Sequence, residues 1–195
     1  MTLADLTEDQ IKTRTKLGQM PFLPTAGGQH NYTPFEAFLV RLTYEITRKG
    51  HQLKNASEHV RAASPLLLAA WSQIDASSKD FLYSHAKTAP NSSSFSDDCL
   101  FGIMRIFEQE AGYASGVIAH RYFVGTAVQI FSSAQKQIAT YTAGKSALGD
   151  LRLEHFIIVN ASTAWRFVRA QAWQLKKEDP SASIDLTDVF GNAEP

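Results

Sequence analysis

The sequence predicts an α+β protein, mainly α, and three observations predict it. Two helix starts are written out in full near the N-terminus, Thr7-Glu8-Asp9-Gln10 and Thr33-Pro34-Phe35-Glu36. A stretch of Pro, Asn and Ser at 87–97, KTAPNSSSFSD, interrupts the chain. Beyond it the composition shifts to segments rich in Val, Ile, Phe and Tyr at 99–107, 117–131 and 151–159. The expected organisation is an N-terminal, mostly helical module over 1–63 and linking or dimerisation helices over 64–87. A C-terminal mixed module over 98–178 follows, with about three strand candidates and two helices, and then a tail over 179–195.

The first helix is expected over 7–17. Thr7 caps it, Gln10 completes a capping box and Gly18 stops it. Leu6, Ile11 and Leu17 are its apolar positions; the rest is polar and basic, and Lys12-Thr13-Arg14-Thr15-Lys16 holds no acid. Alternate residues sit about 200° apart on a helix, so Lys12 and Lys16 share a face while Gln10 and Arg14 lie round the side. This donor-rich helix suits a major groove; a solvated surface helix is the plainer reading.

Residues 19–32, QMPFLPTAGGQHNY, suit two short extended pieces about a glycine turn, because the prolines exclude a helix. Residues 33–49 form the best-defined helix. Thr33 is the N-cap, Pro34 loses no bond at the first position, and Glu36 can reach back to the cap. Phe35, Phe38, Leu39, Leu42 and Ile46 form one apolar stripe, and Gly50 ends the helix after Arg48-Lys49.

After Gly50, Asn55 and Glu58 suggest a second cap and a short helix with Ala56, Val60 and Ala63. Ser64-Pro65 then suggests a separate helix running to Ile74. Its LLLAAW run is apolar on more than one face, which suits a dimer seam or a core helix. A further helix is expected at 77–86. Cys99–Phe107 reads as strand or helix, and 117–131 begins as a strand. Residues 132–143 read as helix, 151–159 as strand and 163–177 as helix.

The order and spacing of the first 62 residues resemble MerR-like winged helix-turn-helix proteins. The matching residues are Leu23-Pro24, Gly27-Gly28, Tyr32-Thr33, Arg41-Leu42 and Gly50-His51-Gln52-Leu53. The resemblance implies a winged module whose wing is 25–32, with a short helix before the recognition helix. Only Met1 to Leu6 precede that helix here, so the expected helix-turn-helix is truncated or its first helix comes from later in the chain. The resemblance implies a DNA-binding regulator, with the helix from Thr7 in the major groove and the wing on the flanking backbone. The residues that would touch DNA are Gln10, Lys12, Thr13, Arg14 and Lys16 from the helix, Gln29, His30 and Tyr32 from the wing, and Arg41 at a position often basic in the family. Phosphate contacts would supply affinity and base edges specificity.

The expected partners are double-stranded DNA and a second copy of the chain, as a homodimer. The competing reading is a protein-interaction adaptor or anti-regulator that uses the same module on a protein partner. Overall net charge is zero and predicts no partner; residues 1–62 carry eight Lys/Arg against six Asp/Glu, a weak net charge that favours the adaptor.

Other classes are set aside on specific grounds. A single cysteine, Cys99, excludes an internal disulfide and a multi-cysteine zinc site, and its apolar neighbours make it a core residue. Gly27-Gly28 lacks the Lys-Ser/Thr of a phosphate cradle. His51 and His59 read as surface residues, and no further ligands are spaced for a metal. His120-Arg121 and Glu154-His155 lie in strand candidates, where neighbouring residues point to opposite faces. No base, nucleophile and orienter form a set, so no enzyme and no cofactor are expected. The polar start MTLADLTEDQ is not a signal peptide, and no apolar run approaches the roughly 20 residues of a membrane span. A cytoplasmic protein is expected.

Overall fold

The computed structural model describes residues 7–22, 32–78, 97–108, 117–145 and 151–181. The elements are α1 (Glu8–Lys16), α2 (Pro34–Thr47), α3 (Leu53–Ala69), α4 (Trp71–Ala76), β1 (Leu100–Glu108), β2 (Val117–Gly125), α5 (Ala127–Lys145), β3 (Leu151–Asn160) and α6 (Ala161–Glu178). The class is therefore α+β and mainly helical, as composition and patterning indicate. The expected helix at 77–86 lies outside the described residues beyond Ser78, as does most of the 87–97 break.

Both helix starts form as written. Thr7 Oγ1 accepts from the Gln10 amide at 3.2 Å, and Gln10 Oε1 accepts from the Thr7 amide at 2.9 Å. The Glu36 amide donates to Thr33 Oγ1 at 3.2 Å, and the Thr33 amide donates to Glu36 Oε2 at 2.9 Å. Each box satisfies two amides that the helix leaves unpaired. α1 ends where Gly18 adopts φ 64°. There the Gln19 amide donates to Arg14 O at 2.8 Å and the Gly18 amide to Thr15 O at 3.1 Å. This is the Schellman pattern, and its left-handed residue favours glycine.

The second half of the N-terminal region departs from expectation. α3 is one helix from Leu53 to Ala69 with Pro65 inside it, and its N-cap is Gln52 rather than Asn55. Pro65 removes one backbone donor, which would normally favour a break. The helix continues because Ala56, Val60, Ala63 and Leu67 form a single buried stripe on both sides of the proline. The boundary expected at 63/64 thus falls within a helix.

The three strands pair antiparallel in the order β2-β1-β3. Alternation gives the sheet two faces. On the inner face, Phe101, Ile103 and Val159, with Tyr122, Val124 and Ile157 at their edge, pack against Phe38, Leu39, Leu42 and Ile46 of α2, Val60 of α3, and Trp165 and Val168 of α6. On the outer face, Met104, Ile106, Phe123 and Phe156 pack against Ile130 and Ala134 of α5. A Cβ on Gly102 would lie 2.9 Å from the Phe156 ring, so glycine there lets that ring cross the central strand. One apolar interior joins residues 37–74 to residues 99–172.

Its centre is aromatic. Trp71 lies 5.1 Å from Phe35, 5.2 Å from Phe38 and 4.7 Å from Trp165 between ring centroids. Polar contacts beside it register α4 and α6 on β1. Arg166 makes a fork to Asp98 at 2.5 and 3.1 Å and donates to Ser77 O at 2.6 Å. Ser162 Oγ accepts from the Cys99 amide at 2.8 Å and lies 2.6 Å from Ser77 Oγ. Asn160 caps α6 through the Thr163 amide at 2.8 Å.

Phe38 is fully buried between all these elements. Phe38→Ala is expected to lower the unfolding free energy by about 3–5 kcal/mol. In urea, the helical far-UV signal and the tryptophan fluorescence of the variant are expected to shift together to a lower midpoint. Two separated transitions would show that the N-terminal helices and the sheet do not share one cooperative core.

Candidate functional site

The N-terminal module places α1 on α2 through a small apolar contact. Met20 and Val40 are buried together, with Ile11, Phe22 and Tyr32 packed against them. Arg61 of α3 reaches the turn after α1, donating to Gly18 O at 3.3 Å and more closely to Met20 O. Two caps, one apolar anchor and one guanidinium thus orient a nine-residue helix. Asp9, Gln10, Lys12, Thr13, Thr15 and Lys16 are exposed, and Asp9 lies on the same face as Lys12, Thr13 and Lys16.

Other residues expected to touch DNA are engaged elsewhere. Gln10 is exposed, but its carbonyl oxygen is used in the capping box. Arg14 is half-buried near Tyr44, and desolvation lowers its pKa from the ordinary value. Tyr32 packs edge-on to Phe22 at 5.6 Å, and burial, with Glu36 nearby, raises its phenol pKa. Arg41 lies with its guanidinium carbon 3.6 Å from the Phe167 ring centroid and its Nη2 2.5 Å from Glu45 Oε1. That geometry makes Arg41 a joint between α2 and α6. Gln29 and His30 lie outside the described residues. The structure therefore gathers Lys12, Thr13 and Lys16 on one exposed helix face, and puts Arg14, Tyr32 and Arg41 into packing.

A second constellation lies at the other end of the inner sheet face. Pairing sets Arg105 opposite His120 on one side and His155 on the other. This row follows two apolar rows, Phe101 with Val124 and Val159, then Ile103 with Tyr122 and Ile157. A register shift in β3 next to Arg105 adds a residue to that strand. Glu154 Oε2 thereby reaches 2.9 Å from Arg105 Nε, off the direction of a hydrogen bond, so the contact is ionic. The expected opposition of neighbours fails at Glu154-His155 because of this bulge. His59 of α3 and His51 of the preceding turn complete the group. Ring centroids are 4.5 Å apart for His59–His120, 6.0 Å for His51–His59 and 5.8 Å for His51–His155. Four of the six histidines of the chain therefore converge from three elements and a turn.

The cluster favours the neutral form of His51, His59 and His120. Burial and then the neighbouring His120, His51, His155 and Arg105 push His59 down to about 4. Burial also lowers His51 and His120, reinforced by Arg105 and the other rings; Glu154 partly opposes this at His120. Two imidazolium charges 4.5 Å apart would repel by about 4 kcal/mol at an effective dielectric of about 20, less where water screens them. His59 Nδ1 lies 3.1 Å from Tyr122 Oη, and the phenol can donate to or accept from either tautomer. Among the described residues, no three His, Cys, Asp or Glu are arranged to hold a metal ion.

The sequence reading of His51 and His59 as surface residues is corrected here: both are partly buried against the sheet. Strand alternation was the available signal. Arg105-Ile103-Phe101, His120-Tyr122-Val124 and His155-Ile157-Val159 each place one ionisable residue in phase with two core residues. Cys99 is buried as expected, and its thiol is pushed up to about 11 by desolvation, so it is not a thiolate at neutral pH. No helix among the described residues is long and apolar enough to cross a membrane.

No protein-family model, no curated protein and no solved structure matches the chain.

Arg61→Ala tests the support of α1. Losing charge-assisted bonds of ~1.5 kcal/mol each should speed amide exchange in residues 8–19 by about tenfold or more. Exchange in β1 should be unchanged. Equal acceleration in both would mean that Arg61 supports the whole core instead.

Proposed function

We propose that the chain is a DNA-binding transcriptional regulator of the winged helix-turn-helix type. In this reading α1 enters the major groove and residues 25–32 lie along the flanking backbone. The C-terminal module serves dimerisation or signal input. The observation that carries the reading is the presentation of α1: Ile11, the two caps and Arg61 hold it, while Lys12, Thr13 and Lys16 face outward. A held helix whose exposed face carries two lysines and a hydroxyl, with Asp9 in its first turn, can meet phosphates and base edges without ordering itself on binding. Arg14 and Arg41 are turned inward, so phosphate contact falls mainly to Lys12 and Lys16, and each site contributes modest affinity. Pairing of two sites then supplies the rest, which favours a homodimer. Leu68 on α3 is 59% exposed and Leu66, about 200° round the helix, is 40% exposed, so Leu68 heads the apolar seam offered to a second copy while Leu66 faces another side.

A second reading is an adaptor that uses the same face on a protein. Leu17 and Tyr44, 59% and 45% exposed, lie in the same module and favour it. Gel shift with genomic fragments at two salt concentrations separates the two. The DNA reading predicts binding whose salt slope falls in Lys12→Ala/Lys16→Ala by about 2 per site, or about 4 for the paired chains, at roughly 0.9 per lost phosphate contact. Thr13→Ala should alter sequence preference more than salt slope. Absent binding at low salt, or indifference to the double change in a folded protein, leaves the adaptor.

Sedimentation tests the pairing. The chain is expected to sediment as a dimer, and Leu68→Ser to shift it to monomer while keeping its helical signal. A monomeric parent protein would refute the seam.

A further inference from the structure

We infer that the histidine cluster is a proton-operated latch between α3 and the sheet. Neutral imidazoles let α3 sit on β2, and protonated ones loosen that contact. The inference concerns the docking of α3 and does not depend on what α1 binds.

The geometry carries it. His59 on α3 meets His120 on β2 at 4.5 Å, at the place where α3 lies on the sheet. Around His59 stand His51 from the turn before α3, Arg105 from β1, His120 and Tyr122 from β2, and Glu154 and His155 from β3. That set holds four imidazoles and a guanidinium against one carboxylate, and Glu154 already pairs with Arg105 at 2.9 Å. Added protons therefore meet like charge, with no second carboxylate among the described residues of the cluster. The only relief is separation, and α3 is the movable side, because His120, Arg105 and His155 are tied together by strand pairing.

The direction follows from which state binds protons more tightly. A histidine free of the cluster takes a proton near pH 6.5, whereas His59 docked takes one only near 4. Docking is at full strength above about pH 6.5 and weakens as pH falls toward 4. His51 and His120, lowered in the same direction, add to the effect. The movement has a route to α1. Arg61, two residues from His59, holds the carbonyls of Gly18 and Met20, so a loosened α3 also releases the turn that sets α1.

Hydrogen exchange of the full chain at pH 7.5 and pH 5.0, corrected for intrinsic rates, tests the latch. Amides of residues 56–63 should lose protection by at least tenfold at pH 5.0, followed by those of residues 14–19. His59→Gln/His120→Gln should lose most of this pH dependence and keep only the smaller part that His51 contributes. If that pair does not fold, imidazole titration of the unchanged protein by NMR decides: at least one cluster histidine must titrate below pH 5.5. Unchanged protection at pH 5.0, the same loss in the double variant, or cluster histidines all titrating near 6.5 would overturn the inference. So would an equivalent of zinc raising the thermal midpoint at pH 7.5 in the parent protein but not in the variant, since the cluster would then be a ligand set.

Discussion

The structure depends on Phe38 and Trp71 meeting Trp165. These rings bring together three helices that are distant in sequence and set them on the inner face of one sheet. Aromatic pairs bury large areas and prefer edge-on geometry, so the contact supplies stabilisation and orientation together. The polar joint beside it gives the same alignment a second constraint. Arg166 can complete its fork to Asp98 and its bond to Ser77 O only when α6, α4 and the start of β1 are in one register. Ser162 imposes a similar condition through the Cys99 amide and Ser77.

Along the inner face the sheet changes character over three rows. Phe101 and Ile103 with their strand partners are apolar and covered by helices; Arg105 with His120 and His155 is ionisable and only partly covered. The same antiparallel register that builds the core therefore builds the cluster. His51, His59 and His120 are held where water is partly excluded and like charge is close, both of which favour the neutral ring. A core of this kind ends in imidazoles that burial keeps from charging near neutral pH, and α3 is the helix that spans both parts.

Basic residues in the N-terminal module serve two ends. Arg41 and Arg61 join elements: one stacks on Phe167 and pairs with Glu45, the other holds the turn after α1. Lys12 and Lys16 are exposed on α1. Charge counted along a sequence cannot separate these uses. A guanidinium has several donors in a fixed plane and stacks readily on rings, so it is drawn into joints that an ammonium leaves to solvent.

The sequence alone determined the features whose causes lie within a few residues. Thr7 with Gln10 and Thr33 with Glu36 start helices because each pair satisfies neighbouring amides, and Gly18 stops one because it tolerates a positive φ. Segments 117–125 and 151–160 are strands as their β-branched and aromatic residues indicate, and Cys99 is core; 100–108, open as strand or helix in the sequence, is made a strand by pairing on both of its edges. The tertiary structure alone decided the rest. α3 runs through Pro65 because a buried stripe on both sides outweighs one missing bond. Arg14, Tyr32 and Arg41 turn inward because neighbouring elements offer them rings and carboxylates. His51, His59, His120 and His155 meet because strand register and one bulge bring them together. Register is set by pairing between distant segments, and no spacing along the chain encodes that distance.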